Sequence, residues 1–74
     1  MDTDNLVRMA NRIGDFFVAM PDRQDALEGI AQHIKRYWEP RMRRQLLAHL
    51  DMDQGAGLDP VILTALQQHR SVVS

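Results

Sequence analysis

The chain has 74 residues, no Cys, three His and a formal net charge of −1. This length predicts a single domain over residues 1–74, whose core would seldom supply more than about 3–5 kcal/mol of net stability. The composition excludes disulfides, and the nearly balanced charge argues against a general nucleic-acid or anionic-membrane binder.

Four helical segments are predicted, and together they indicate an all-α fold, a compact bundle of about four short helices with an ordered core over about 4–70. The first segment runs from Asp4 to Met20 and is ended by Pro21. Its apolar residues recur at spacings of three and four, so they share one face. They are Leu6, Met9, Ala10, Ile13, Phe16, Phe17 and Met20. A narrower stripe beside them consists of Val7, Gly14 and Val18.

The second and third helices meet at Pro40. The second begins with Asp22 as N-cap and stops or kinks at Glu39, because a residue before proline disfavours helical geometry. Its apolar face contains Ala26, Leu27, Ile30, Ala31, Ile34, Tyr37 and Trp38. Pro40 suits the first position of the third helix, where its missing N–H would have no partner. The buried face of that helix is predicted to contain Met42, Leu46, Leu47 and Leu50.

A loop from Asp51 to Gly57 leads to the fourth helix, which has Asp59 as N-cap and Pro60 at its first position. Its inner face is predicted to contain Val61, Ile62, Ala65, Leu66 and His69. We expect the tail 71–74 to fray. Gly14 and Gly29 each cost about 1 kcal/mol inside a helix. They indicate a close backbone approach, either between these two helices or against a partner, or simple tolerance of glycine.

The strongest compositional feature is a basic run that includes Tyr37 and Trp38. It holds five of the nine basic residues of the chain: Lys35, Arg36, Arg41, Arg43 and Arg44. The run is either a solvated face beside a core tryptophan or a docking surface, since Trp, Tyr and Arg dominate protein interfaces. We take the second interpretation, and the predicted partner-binding residues are Tyr37, Trp38, Arg41, Met42, Arg43 and Arg44.

Arg43 differs from the other arginines because it precedes Leu46 and Leu47 by three and four residues and so shares their apolar face. A guanidinium in that position keeps its charge and needs a carboxylate, backbone carbonyls or a route to water. An internal carboxylate such as Glu39 or Asp59 would serve, and so would a partner subunit.

No pattern indicates catalysis or a bound cofactor. The histidines His33, His49 and His69 are too widely spaced to predict a metal site, and the loop at Asp51 lacks the glutamate that a calcium loop needs, with Ile62 in its place. No activated nucleophile and no phosphate-binding glycine loop is present. The arginine run lacks the polar recognition helix and the basic surroundings of a helix-turn-helix. We therefore expect no catalytic, cofactor-binding or metal-binding residues and no nucleic-acid partner.

We expect a cytoplasmic location and no membrane association. No apolar run approaches the roughly 18 residues that a membrane span needs. The opening Met1-Asp2-Thr3-Asp4 lacks the basic start of a secretory signal. The absence of Cys fits a reducing compartment.

Several segments resemble the delta subunit of cytoplasmic NAD-dependent formate dehydrogenases. They are residues 6–13, His33-Ile34, residues 37–47 and Gly57-Leu-Asp-Pro60, so the resemblance covers about Leu6 to Leu66. The run Trp-Glu-Pro-Arg-Met-Arg within residues 37–47 is its most specific part.

The resemblance implies a non-catalytic accessory subunit. In that family the alpha subunit carries a molybdenum or tungsten bis-pterin centre and iron–sulfur clusters, while beta and gamma handle flavin and NAD. The delta subunit would bind the large alpha subunit and assist assembly, cofactor insertion or stability. The alternative is a self-contained helical regulatory or DNA-binding module. In isolation we expect the chain either to form a homo-oligomer or to melt at low temperature.

Overall fold

The computed structural model describes residues 2–74, so Met1, the first residue of the predicted domain, lies outside the described residues. Residues 2–74 form five helices and no strand. The helices are α1 (Thr3–Phe17), α2 (Arg23–Tyr37), α3 (Pro40–Asp53), α4 (Pro60–Gln68) and α5 (Arg70–Val73). The predicted all-α bundle is confirmed, and the four longer helices lie in the four predicted segments.

Aspartate side chains cap the first two helices. The carboxylate of Asp2 accepts a hydrogen bond from the amide of Asp4 at 3.2 Å. The carboxylate of Asp22 accepts from the amides of Gln24 and Asp25 at 2.8 and 3.2 Å. These amides have no partner inside the helix, so a side-chain acceptor stabilises each helix start by about 1 kcal/mol. The predicted N-cap at Asp22 is confirmed.

Prolines begin the next two helices, as predicted. Pro40 and Pro60 are the first residues of α3 and α4, where the missing N–H costs no hydrogen bond. Asp59 stands at the N-cap position of α4, but its side chain makes no capping bond. The backbone amide of Asp59 donates a hydrogen bond to the side-chain oxygen of Asn11.

Two helix ends differ from the prediction. α1 ends at Phe17, three residues before Met20, because Pro21 has no amide to continue the ladder and restricts the residue before it. α3 continues to Asp53, so the loop begins at Gln54, which takes a left-handed conformation with φ of 55°.

The chain end does not fray, which corrects the prediction for 71–74. Residues Arg70–Val73 form α5, and the side chain of Val73 is fully buried. At the other end of the chain, α1 starts at Thr3, next to the predicted start. Burial of Val73 and a hydrogen bond to its carbonyl hold this short helix, which could not form by its own propensity.

The core lies around α2, which packs against α1, α4 and α5, while α1 also packs against α3 and α4. The largest fully buried side chains are Leu6, Leu27, Ile30, Ile34, Leu46, Ile62, Leu66 and Val73. All of them except Val73 belong to the predicted apolar faces. Three residues of those faces are exposed instead: Phe16, Met20 and Tyr37.

Gly14 lets α1 approach α4 closely. A Cβ atom at Gly14 would lie 3.0 Å from Cδ1 of Ile62 and 3.1 Å from Cγ1 of Val61. The sequence left open an approach between α1 and α2, an approach to a partner, or simple tolerance of glycine. The structure shows instead a close contact between α1 and α4.

Gly55 closes the α3–α4 loop under two constraints. Its φ is +67°, and a Cβ atom there would lie 2.5 Å from Cδ2 of Leu63. The amides of Gln54 and Gly55 both donate to the His49 carbonyl, so the left-handed turn also satisfies the end of α3.

We predict that Gly55→Ala lowers the free energy of unfolding by at least about 1–2 kcal/mol, the cost of a left-handed L-residue. Gly57→Ala is the matched control, because φ there is +88° but the nearest contact, Cγ1 of Val7, is 3.3 Å away. Chemical denaturation of both variants measures the difference. Equal stability of the two variants would show that the loop moves to relieve the collision with Leu63.

Arg70 pairs with Asp51 across the α3–α5 contact. Its two terminal nitrogens donate to both carboxylate oxygens at 2.8 and 2.6 Å. The hydrogen bond from Arg70 lowers the pKa of Asp51, and the same bond raises the pKa of Arg70. Both side chains are exposed, so water screens the pair and its contribution to stability is small.

We predict an acid-dependent effect of Asp51→Asn. The folded pKa lies below the unfolded one, so the pair stabilises the fold above about pH 4 and loses this contribution as the pH falls through the folded value. Asp51→Asn should therefore be less stable than the wild type near neutral pH, and the difference should vanish in acid. Glu28→Gln, at an exposed position without an ion pair in residues 2–74, is the control. A difference that persists in acid contradicts the assignment.

Candidate partner interface

The predicted partner-binding residues differ in burial. Tyr37 is 67% exposed and Arg41 and Arg44 are also exposed, whereas Met42 is half-buried. The structure buries the other two residues, with 6% of Trp38 and 8% of Arg43 exposed. Their role in binding stays a prediction. The three exposed side chains, and the exposed part of Met42, are available for contact without a change in the fold.

Arg43 has an internal partner. Its Nη1 donates to the backbone carbonyl of Val73 at 3.1 Å, while its Nε has no hydrogen-bond partner in the described part of the chain. Of the alternatives that the sequence left open, the structure therefore shows a backbone carbonyl and neither Glu39 nor Asp59. The guanidinium instead satisfies a carbonyl at the end of α5, where few intrahelical amides remain to pair with it. Arg43 thus joins α3 to the last helix.

A row of rings runs along one face of α1 and α2. We call this the aromatic row, and it consists of Phe16, Phe17, His33 and Tyr37. The ring centroids of Phe16 and Phe17 are 5.3 Å apart, those of Phe17 and His33 are 6.1 Å apart, and those of His33 and Tyr37 are 4.8 Å apart. These distances are typical of interacting aromatic pairs. The two ends of the row are open to solvent, since Phe16 is 76% and Tyr37 67% exposed.

Two shallow grooves meet at His33, and we call them together the α1–α2 groove. One is lined by Phe17, Gly29, Gln32, His33, Arg36 and Tyr37. The other is lined by Met9, Arg12, Ile13, His33 and Trp38. All four aromatic residues of the chain therefore belong to the aromatic row or the groove beside it. Surfaces of this composition are typical of protein interfaces.

Gly29 shapes the first groove. A Cβ atom at this position would lie 2.6 Å from Cε1 of Phe17. The absence of a side chain therefore lets the Phe17 ring lie directly on the backbone of α2. At Gly29 the structure therefore shows a close approach between α1 and α2, which is one of the alternatives that the sequence left open.

The charge along the groove has one sign. Arg12 and Arg36 line it, and no carboxylate lines it in residues 2–74. Neither arginine forms an ion pair within that range. The groove therefore combines an apolar floor with unpaired cations at its margin.

Asn11 is a structural residue that the sequence analysis missed. Its side-chain amide donates to the carbonyl of Gly57 at 3.0 Å and its oxygen accepts from the amide of Asp59 at 2.8 Å. It thereby holds the segment before α4 on the surface of α1. The sequence does contain a pattern that indicates this inward position. Asn11 lies four residues after Val7 and three before Gly14, so it shares the narrower stripe of α1 with them.

The three histidines lie in different places. His33 lines the groove, Nε2 of His49 lies 2.8 Å from the carbonyl of Ala56, and His69 lies between α4 and α5. Across residues 2–74, no three His, Cys, Asp or Glu side chains form a group that could hold a metal. No helix in the same residues is long and apolar enough to cross a membrane.

One family model matches the chain, over residues 5–66, and it describes the NADH-dependent formate dehydrogenase delta subunit FdsD. The matched span contains α2, α3 and most of α1 and α4, together with every residue of the α1–α2 groove. The helix α5 lies beyond it. No curated protein and no solved structure shows significant similarity to the chain.

We predict that Arg43→Met detaches α5. Met preserves most of the apolar contact but leaves the Val73 carbonyl unpaired, which costs about 1–3 kcal/mol of unfolding free energy. Amide exchange in residues 70–74 should accelerate more than exchange in α2. Arg44→Met, at the neighbouring exposed position, should change stability by no more than about 0.5 kcal/mol. Similar stabilities of the two variants would show that the Arg43 bond does not hold α5.

Proposed function

The chain belongs to the family of NADH-dependent formate dehydrogenase delta subunits, and we propose that it acts there as a non-catalytic accessory subunit. In this proposal it binds the large alpha subunit in the cytoplasm and aids assembly, cofactor insertion or stability of the complex. The observation that carries the proposal is the family match, which extends over nearly the whole chain.

The side chains of the domain support a role without redox cofactors. The chain has no Cys, so it can supply no thiolate ligand to an iron–sulfur cluster. The described residues also provide no group of metal-ligating side chains. We therefore propose that the molybdenum or tungsten bis-pterin, the iron–sulfur clusters, the flavin and NAD are bound by the partner subunits.

The surface of the domain supports binding to a partner. Phe16 and Tyr37 expose aromatic rings, and burial of such rings is a main source of affinity in protein interfaces. The exposed arginines Arg41 and Arg44 are candidate rim contacts, which would speed association with an acidic surface. Binding of the folded domain also stabilises it by mass action, which suits a chain with a small core.

The proposal is tested by deleting the gene for this chain and purifying the tagged alpha subunit. We expect loss of at least one of three quantities: formate oxidation, metal content or recovery of the other subunits. An alpha subunit without metal would indicate a role in cofactor insertion. Fully loaded enzyme that dissociates faster would indicate a role in stability.

The reciprocal purification gives the control. The tagged chain at its native level should retain formate dehydrogenase subunits, and a chain with substitutions on the partner-binding surface should retain less. Normal amounts of active, metal-loaded enzyme after deletion, together with retention of only DNA or a second copy of the chain, would contradict the proposal and favour a regulatory module.

A further inference from the structure

We propose that the α1–α2 groove binds an acidic amphipathic helix of another formate dehydrogenase subunit, with apolar side chains on the aromatic row and carboxylates paired to Arg12 and Arg36. This inference rests on the proposed function, because it assigns the partner to the same complex. It places the main contact on α1 and α2 rather than on the exposed arginines of α3.

The groove has the periodicity of a helix-binding site. On α1 its apolar wall consists of Met9, Ile13 and Phe17, and on α2 its wall consists of Gly29, His33 and Tyr37. Both sets are spaced by four residues, so each follows one side of its helix, and both form ridges except at Gly29, where the Phe17 ring fills the space of the missing side chain. Each ridge spans about 12 Å, the length over which a docked helix presents side chains at i, i+4 and i+7.

The two ridges run in opposite directions. Phe17 and Gly29 lie together at one end of the groove, while Met9 and Trp38 line the other end. His33 stands between the two ends and belongs to both halves of the lining. The groove is therefore continuous along two helices, which is the setting in which a third helix packs against a pair.

The backbone of the groove favours an incoming helix over an extended segment. α1 and α2 use their backbone groups in their own helical ladders, and no strand edge exists in residues 2–74. An extended peptide would therefore find no backbone groups with which to pair. A helix satisfies its own backbone and needs only the side-chain contacts that this surface offers.

Charge identifies the occupant. Arg12 and Arg36 flank the apolar wall without an ion pair in the described residues, and the lining of the groove includes no acidic side chain. A symmetric dimer through this face would bring the same patch, with its arginines, against itself. Like charges across an interface oppose association, whereas carboxylates of a different chain would pair with both arginines.

The first test uses charge reversal in the whole complex. Arg12→Glu with Arg36→Glu should reduce retention of the formate dehydrogenase subunits by about tenfold or more, as expected for repulsion at an interface. Arg41→Glu with Arg44→Glu changes the net charge equally on α3 and should reduce retention less than threefold. All four arginines are exposed, so both variants should melt close to the wild type. A larger effect of the α3 pair would overturn the proposal.

The second test replaces Phe16 with a photoreactive phenylalanine analogue. Irradiation of the complex should link this position to a helix of another subunit that has carboxylates beside its apolar face. Lys substitutions of those carboxylates should restore retention of the Arg12→Glu, Arg36→Glu chain. Crosslinks to a second copy of the chain, or no rescue by lysine, would overturn the proposal.

These tests separate the inference from the function on which it rests. If the wild-type chain retains the complex but the groove substitutions do not weaken it, only the groove assignment is wrong. If the wild-type chain retains no formate dehydrogenase subunit, the proposed function itself is wrong.

Discussion

The burial of one face of α2 is the constraint on which the rest of the bundle depends. Its inward side chains, Ala26, Leu27, Ile30, Ala31 and Ile34, are covered by α1, α4 and α5. A chain of 74 residues has too little mass to cover the adjoining face as well. The side chains of His33 and Tyr37, with the bare backbone at Gly29, therefore form a groove with α1 instead of a second core. The apolar faces of α1 and α2 are wider than the other helices can cover, so part of them stays exposed as the α1–α2 groove.

Two polar side chains hold the parts of the chain that the core does not order by itself. Asn11 binds backbone groups of Gly57 and Asp59, and Arg43 binds the carbonyl of Val73. Loops and short helices have backbone groups without intrahelical partners, and a buried backbone group without a partner destabilises the fold. Asn11 belongs to α1 and Arg43 belongs to α3. These long helices therefore determine where the loop before α4 and the short helix α5 lie. These bonds join the loop and α5 to the long helices, while the ends of the aromatic row stay exposed at the surface.

The run Tyr37–Arg44 contains both buried and exposed side chains, and these have different roles. Within Tyr37–Arg44, Trp38 and Arg43 are buried, whereas Tyr37, Arg41 and Arg44 face solvent. The buried pair belongs to the packing of the domain, since Trp38 lines the core and Arg43 holds α5. The exposed residues are those that remain for a partner. In our proposal, assembly of the formate dehydrogenase complex uses the exposed surface, and folding of the domain uses the buried part of the same short run.

The sequence by itself determined the four longer helices, the residues near which they start and most of the core. Helical spacing of apolar residues identified Leu6, Ile30, Leu46 and Ile62, and the chemistry of Asp22 and Pro40 set the helix starts, because these signals are local. Only the tertiary structure decided which apolar faces are covered. Phe16 and Tyr37 have the spacing of core residues, yet no other element reaches them, while Val73 is buried because α5 folds back onto α2. Local periodicity reports which side chains a helix could bury, and the number and placement of the other helices decide which ones it does bury.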